Sequence, residues 1–298
     1  MASLSVVAPA VSVTRDERGT HVEIPAGVSS DEPIVIAYDV ADAGLPVHTF
    51  VGAGEGARVS IVERLTGDAP GREIAASTTV TAAANAEVTY TVVQNVGPGV
   101  RIDSKRASHV GAGARMAWNV ALLGGAAVTE EVISDHTGAR AHTEIASLFF
   151  TVAREVVQLT TEVQHNVPYT TSHTVVRNIA AGHSRGRYYG NIVIVPFAHG
   201  SEASLRDDTL LIGKDARVDA IPALEIAAND VKAFHGQTVG AIDEEHIFYL
   251  MSRGIARDDA EKLIALGFFE PAVARFPGED VRTELRTLLE EKLVGARR

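Results

Sequence analysis

The sequence predicts a mainly β protein: a β-solenoid over residues 1–240, then a small helical subdomain over 241–298. Three observations carry that reading. Short runs of alternating apolar and polar residues recur as far as Val195. The turns between them share one chemistry. After Gly240 the period of the apolar residues changes from two to that of a helix.

The repeated unit is a turn residue, a small alanine and an alternating run. Gly56-Ala57-Arg58-Val59 leads into Ser60-Ile61-Val62, Asn85-Ala86-Glu87-Val88 into Thr89-Tyr90-Thr91-Val92, Gly113-Ala114-Arg115-Met116 into Ala117-Trp118-Asn119-Val120, and Gly138-Ala139-Arg140-Ala141 into His142-Thr143-Glu144-Ile145. Asp215-Ala216-Arg217-Val218 reads as a further unit. Gly, Asn and Asp tolerate the left-handed backbone that a sharp corner needs. In Val88-Thr89-Tyr90-Thr91-Val92, the valines and tyrosine share one face and the threonines the other. One such unit cannot bury its apolar face alone, whereas stacked units can, which favours a solenoid over a sandwich.

Val156–Val163, Thr170–Asn178 and Tyr189–Val195 continue the pattern with longer strands. No helix is predicted before residue 240. Asp243 is a good N-cap with Glu244 and Glu245 in the first turn, Ile247, Leu250 and Met251 recur at helical spacing, and Gly254 stops the helix. A second helix starts near Arg257, with Leu263, Ile264 and Phe268 on its apolar face and Pro271 beyond its end. A third runs from Glu279 to about Val294 with Val281, Leu285, Leu288 and Leu289 on one stripe. Met1–Val13 reads as a first strand or a loose terminus, since it lacks the basic start of a signal peptide.

Composition narrows the function. The net charge of −11 argues against nucleic acid, because phosphate contact needs clustered Lys and Arg. There is no cysteine, so disulfides, thiol nucleophiles and thiolate metal sites are excluded within the chain. No apolar run reaches membrane-spanning length, and the cytoplasm is the expected location. There is no Gly-x-Ser-x-Gly elbow, and Gly52-x-Gly54-x-Gly56 lacks the ending of a phosphate loop. The chain is therefore not expected to bind ATP or to be an enzyme.

Eleven histidines remain. His136, His142, His165, His173, His183 and His199 flank turns or strand ends without metal-ligand spacing, and surface or hydrogen-bonded roles are expected for them. His235 stands apart, between Phe234 and Gly236 at the end of the last β rung and just before the helices. Its imidazole suits iron; a histidine hydrogen-bonded at a structural junction is the alternative.

The stretch Asp230-Val231-Lys232-x-x-His235-Gly236-x-Thr238-Val239-Gly240, with Asp243-Glu244-Glu245 and Phe248-Tyr249-Leu250-x-Ser252-Arg253-Gly254-Ile255, resembles the C-terminal signature of the SufB/SufD family. Ser172-His173-Thr174-x-x-Arg177, Gly190-Asn191-Ile192-Val193-Ile194-Val195 and Pro222-x-Leu224-Glu225-Ile226 match further motifs, so the resemblance is strong from about Thr170 to Phe269. It implies a right-handed parallel β-helix with a C-terminal helical domain. It also implies a non-ATPase scaffold for iron–sulfur cluster assembly, with a transient cluster or iron held at a protein–protein interface.

The implied partners are a SufC-like ABC-type ATPase docked on the C-terminal helices, and a SufB-like paralogue or a second copy of the chain across the β-helix. A persulfide-delivering protein supplies sulfur indirectly. The implied metal residue is His235. Tyr249 and Arg253 are candidate ATPase contacts by their polar tips, while Phe248 and Leu250 are expected at least equally to pack the helices inward. Two departures stand out. Ala233 replaces the cysteine expected two residues before the histidine, and the extended N-terminal region of typical members is largely missing, which makes the chain a short SufD-like form. Glu225 and Asp230 lie near His235 in sequence but are expected as solvated or hydrogen-bonded residues. A homodimeric scaffold in a minimal two-component system and a β-helix polysaccharide lyase or hydrolase are the alternatives.

Overall fold

The computed structural model describes residues 4–5, 11–42 and 47–295. Most of Met1–Val13 therefore lies outside the described residues, although Leu4–Ser5 and Ser12–Asp16 are strands. The chain winds back and forth between two nine-stranded sheets, and beyond the first two strands the even-numbered ones stack apart from the odd-numbered ones. Sheet A runs β1 (Leu4–Ser5), β4 (Ile34–Asp39), β6 (Arg58–Gly67), β8 (Glu87–Val96), β10 (Arg115–Leu122), β12 (His142–Thr151), β14 (Thr171–Ala181), β16 (Glu202–Ile212) and β18 (Lys232–Ala241). Sheet B runs β2 (Ser12–Asp16), β3 (Gly19–Ile24), β5 (Val47–Ala53), β7 (Glu73–Ala82), β9 (Arg101–Val110), β11 (Ala127–His136), β13 (Val156–His165), β15 (Arg185–Ile194) and β17 (Arg217–Ile226). Neighbours pair in parallel, apart from the antiparallel β1–β4 and β2–β3 pairs at the N-terminal end. This is the expected parallel β-solenoid.

One corner repeats with a period of 27–31 residues. Gly56, Asn85, Gly113, Arg140 and Tyr169 all have left-handed backbone, and Gly200 follows them. Each donates its N–H to a carbonyl of the next coil, from Gly56 to Ala84, Asn85 to Ala112, Gly113 to Ala139, Arg140 to Pro168, Tyr169 to His199 and Gly200 to Asp230. The fourth unit is thus offset from its expected place: the left-handed residue is Arg140, and Ala141 rather than Ala139 tucks inward. The Asp215 unit belongs to the opposite corner, since it leads into β17 of sheet B.

Gly138 is needed for another reason. A Cβ there would meet the backbone nitrogen of Ala112 at 2.0 Å. Gly138→Ala is expected to lower stability by about 1–3 kcal/mol, the usual range for forced overpacking, read as a fall in thermal midpoint.

The helices are α1 (Glu244–Ser252), α2 (Arg257–Val273) and α3 (Glu279–Gly295). Asp243 caps α1 by accepting the Glu245 N–H at 2.8 Å. Gly254, at φ 88°, closes it in a Schellman turn, with Gly254 N–H bonded to Met251 and Ile255 N–H to Leu250. Pro271 lies inside α2 rather than beyond it. The i−4 residue is Gly267, and Pro271 falls in the last turn, so little hydrogen bonding is lost. The buried face of α2 is also rotated from expectation: Ala265, Phe269 and Ala272 are buried, while Leu263 is exposed. Small alanines let this face approach the sheet closely.

The helices cover the outer face of sheet A. Val62, Val93, Leu123, Leu148, Phe150 and Ile179 point out of the solenoid, yet are buried against Phe269, Phe276, Leu285, Leu289 and Leu293. Arg64 holds Glu284 of α3 at 2.7 Å, and Lys292 holds Glu155 at 2.7 Å. Among the described residues, no helix is long and apolar enough to cross a membrane.

Candidate functional site

The solenoid interior carries a discontinuous polar path. Near its N-terminal end Tyr38 bonds Thr20 and Thr49, and Thr49 reaches Glu63. Glu63 also accepts from the Tyr90 hydroxyl and from Arg106, which pairs with Glu130 at 2.6 Å. Farther along, Trp118 donates to Ser108, Ser108 meets Ser134, and Ser134 meets Thr143. Thr143 bonds His136, whose ring packs edge-on against His165 at 4.7 Å. Burial pushes His136 down to about 3, helped by the nearby His165 and His142, and burial pushes His165 down to about 4. Both are neutral core histidines, in line with the hydrogen-bonded role expected of them.

The C-terminal end of the path is where the solenoid stops. Among the described residues, strands β17 and β18 have partners on one side only, and their residues are exposed or half-buried. Ile221, Ile226, Phe234 and Val239 are large apolar residues left exposed on this last coil.

His235 is not at the end of the last strand. It lies in the middle of β18, which stays paired with β16 as far as Ala241. Gly236 and Gly240 do not break the strand, because the parallel register of β16 holds it. His235 pairs with the inward Leu205 and Ala233 with the inward Ala203, so both occupy the interior-facing column of the open end. The Nδ1 atom of His235 is shielded from solvent and has no hydrogen-bond partner among the described residues. Of the carboxylates near it in sequence, Glu225 is exposed and accepts from Asn191 at 2.9 Å, and Asp230 is exposed in the following turn.

One coil below lies a residue that sequence reasoning passed over. Asp207 is fully buried in β16, accepting from Asn178 at 2.9 Å. Burial and the charge of Asp208, opposed by Arg177 and the Asn178 bond, leave its carboxyl pushed up to about 7. The available signal was an acidic pair, Asp207-Asp208, within a strand whose last three residues, Leu210, Leu211 and Ile212, are apolar. Asp208 faces the other way. It pairs with Arg177, holds Arg206 at 2.8 Å and accepts from Thr238 at 2.5 Å, which ties three strands of sheet A together. Arg177 stacks over Phe268 of α2 at 5.2 Å, so the same node reaches the helices.

Tyr249 stands on α1 and Arg253 is its C-cap residue, so neither belongs to the strand that holds His235. Arg253 lies over the Tyr249 ring at 5.3 Å, and Tyr249 is 56% exposed. Phe248 is more exposed still, at 74%, and Met251 is exposed too, so they do not pack α1 inward. Ile247 alone on α1 is buried.

The family model described as SUF system FeS cluster assembly, SufBD core domain, matches residues 36–268. This chain belongs to the SufBD family. The match extends the resemblance well upstream of Thr170. SufD of Escherichia coli (strain K12), an iron–sulfur cluster assembly protein, is 28% identical over 286 residues, covering 94% of this chain and 68% of the relative. SufD of Bacillus subtilis (strain 168) is 26% identical over 287 residues, 92% of this chain and 64% of the relative. The SufBD family protein ML0593 of Mycobacterium leprae (strain TN) is 31% identical over 282 residues, 93% of this chain but 32% of the relative. This SufBD-family chain therefore spans about a third of the mycobacterial protein and about two thirds of the two SufD proteins.

Proposed function

We propose that this chain is a non-ATPase scaffold of a SUF-type iron–sulfur cluster assembly complex. The observation that carries the reading is the uncovered last coil with His235 on its interior face. Edge strands with unpaired backbone groups and apolar side chains are templates for pairing with another chain. In this reading the open end pairs with a cysteine-bearing SufB-like paralogue, which supplies the sulfur acceptor that this chain lacks. Iron–sulfur species are then handled as cargo between the two chains, with His235 donating an imidazole nitrogen.

An ABC-type ATPase docks on α1, where Phe248, Tyr249 and Arg253 form an exposed aromatic and cationic surface of the kind that anchors interfaces. Nucleotide-driven movement of the ATPase pair acts on α1 and passes to the solenoid through the helix–sheet contacts, among them Arg177 on Phe268 and Asp208 across the last strands. Coupling requires the ATPase to contact α1 differently in its two nucleotide states.

Co-purification with the neighbouring ATPase tests the docking. Tyr249→Ala with Arg253→Glu is expected to weaken capture by about tenfold or more, the effect of losing an interface anchor. Capture equal to wild type removes α1 from the interface. His235→Ala is expected to lower iron–sulfur enzyme maturation in cells while leaving the thermal midpoint of the purified protein unchanged. Full maturation in that variant returns His235 to a structural role.

A further inference from the structure

Two buried side-chain atoms that lack a hydrogen-bond partner among the described residues belong to one contact. They are Oδ1 of Asn178 and Oδ2 of Asp207. The two residues already meet through their other atoms, since Asn178 Nδ2 donates to Asp207 Oδ1 at 2.9 Å. Both are wholly buried, at 0% exposure. Register explains the meeting: Asn178 is level with Thr209 of β16, and Asp207, two residues earlier, shares the same inward face. Buried polar atoms are rarely left unpaired, so two orphans flanking one hydrogen bond call for a cause.

When Asp207 is ionised, both orphans are acceptors and neither satisfies the other. One proton on Oδ2 changes that. A protonated carboxyl offers an O–H donor beside its carbonyl oxygen, and a carboxamide offers N–H donors beside its own. The two groups then match, with the N–H bond to Asp207 Oδ1 in place and the new O–H donating to Asn178 Oδ1. The same proton removes a buried charge.

The surroundings favour the neutral acid. Asp208 follows on the outer face of β16, and its charge opposes a second one at Asp207. Arg177 of β14 attracts that charge, but its guanidinium pairs with Asp208, as does Arg206. Across the interior, Tyr188 of β15 bonds Thr161 at 2.7 Å, and a charge on Asp207 would push its hydroxyl further up. His235 is the titratable residue on the inward face of β18, and its buried Nδ1 bonds nothing among the described residues. Burial first and Asp208 second push the Asp207 carboxyl up to about 7.

We propose that the folded chain stores one proton between Asp207 and Asn178, and that its release to water loosens the last coil. The device is a pH-sensitive latch, and it stands apart from the cluster-assembly reading. With the proton gone, Asp207 and Asp208 place two negative charges back to back on β16, and Asn178 Oδ1 is orphaned again. The strain falls on the pairing of β16 with β18, which Asp208 ties through Thr238. Among the described residues, β18 has no strand beyond it to hold it in place. The sign follows from the raised carboxyl: the unfolded aspartate ionises near pH 4, so the stored proton stabilises the fold less and less as pH climbs from about 4 to 7, and no longer above that.

The test compares wild type with Asp207→Asn, which supplies an N–H in place of the acid O–H and cannot ionise. Denaturation at pH 5 and pH 8 gives the ratio of their folding constants. That ratio is expected to shift in favour of the variant by about tenfold or more at pH 8. His136 and His165 are common to both proteins and cancel. Hydrogen exchange at pH 8 is expected to be about tenfold or more faster in wild type than in the variant at β16 and β18 amides, and equal in the two at pH 5. Carbon-13 resonances of aspartate carboxyls in wild type keep the proposal falsifiable if the variant fails to fold: a buried aspartate is expected to titrate between pH 6 and 8. Aspartates that all titrate below pH 5, or a folding ratio independent of pH, overturn the stored proton. A shifted ratio with unchanged exchange at β18 overturns the latch.

Discussion

Arg106→Met is expected to destabilise the protein by about 3–5 kcal/mol, the cost of leaving buried charges unpaired. Arg106 crosses the solenoid interior and is buried with both of its carboxylate partners, Glu63 at 2.9 Å and Glu130 at 2.6 Å. Its guanidinium also donates to Thr78 at 2.7 Å. Two acids share one cation, and burial pushes Glu130 up against the pull of Arg106. Removing the cation leaves both carboxyls to be desolvated or protonated. Chemical denaturation followed by the β-sheet circular dichroism signal measures the loss. Adding Glu63→Gln and Glu130→Gln to the same variant is expected to restore much of it, because the uncompensated charge is then gone. A single variant within about 0.5 kcal/mol of wild type, the range of ordinary surface changes, rules out any such contribution. Because each coil contacts only its neighbours, the coils around β9 are expected to open first.

Acid is expected to destabilise the protein through His136 and His165. Both have folded values, about 3 and about 4, below the ordinary histidine value of 6.5. As pH falls through 6.5 the unfolded chain binds two protons that the folded chain refuses. Their contribution is intact above about pH 7 and is lost progressively toward pH 4. Two refused protons give a slope of about 2.7 kcal/mol per pH unit, and a loss of about 4 kcal/mol by pH 5. Asp207 and Glu130 act in the opposite sense, since raised carboxyls lose stability as pH rises. The measurement is therefore the difference between wild type and a His136→Gln, His165→Gln variant from pH 7 to pH 5. The variant is expected to lose less stability over that window. Parallel pH profiles in the two proteins reject the histidine contribution.

The readings that succeeded rested on local chemistry. Gly56, Asn85 and Gly113 were legible as corners because few residues accept a left-handed backbone. Asp243 and Gly254 marked the ends of α1 because capping is local hydrogen bonding. The fourth corner misled because Gly138 offers the favoured residue type, while the left-handed position two residues later is held by Arg140 through a hydrogen bond to the next coil. The α2 face was misread because Leu263 and Phe268 are larger than the alanines that actually touch the sheet. Motif likeness singled out His235, whereas the local sign of Asp207 was only its pairing with Asp208 in the sequence, and its burial depends on residues about thirty positions away.

The sequence by itself determined the alternation that makes a two-faced strand, the turn chemistry that returns the chain, the change to helices after Gly240, and membership of the SufBD family. Those properties are written within a few residues of one another or in a motif. Only the tertiary structure decided which faces are covered and which polar groups meet. Phe150 and Leu148 point outward from sheet A and are buried solely because α2 and α3 lie over them. Asn178 reaches Asp207 solely because parallel pairing fixes the register of their two strands. Parity along a strand is a property of the chain; register between coils is set by hydrogen bonds and packing across some thirty residues.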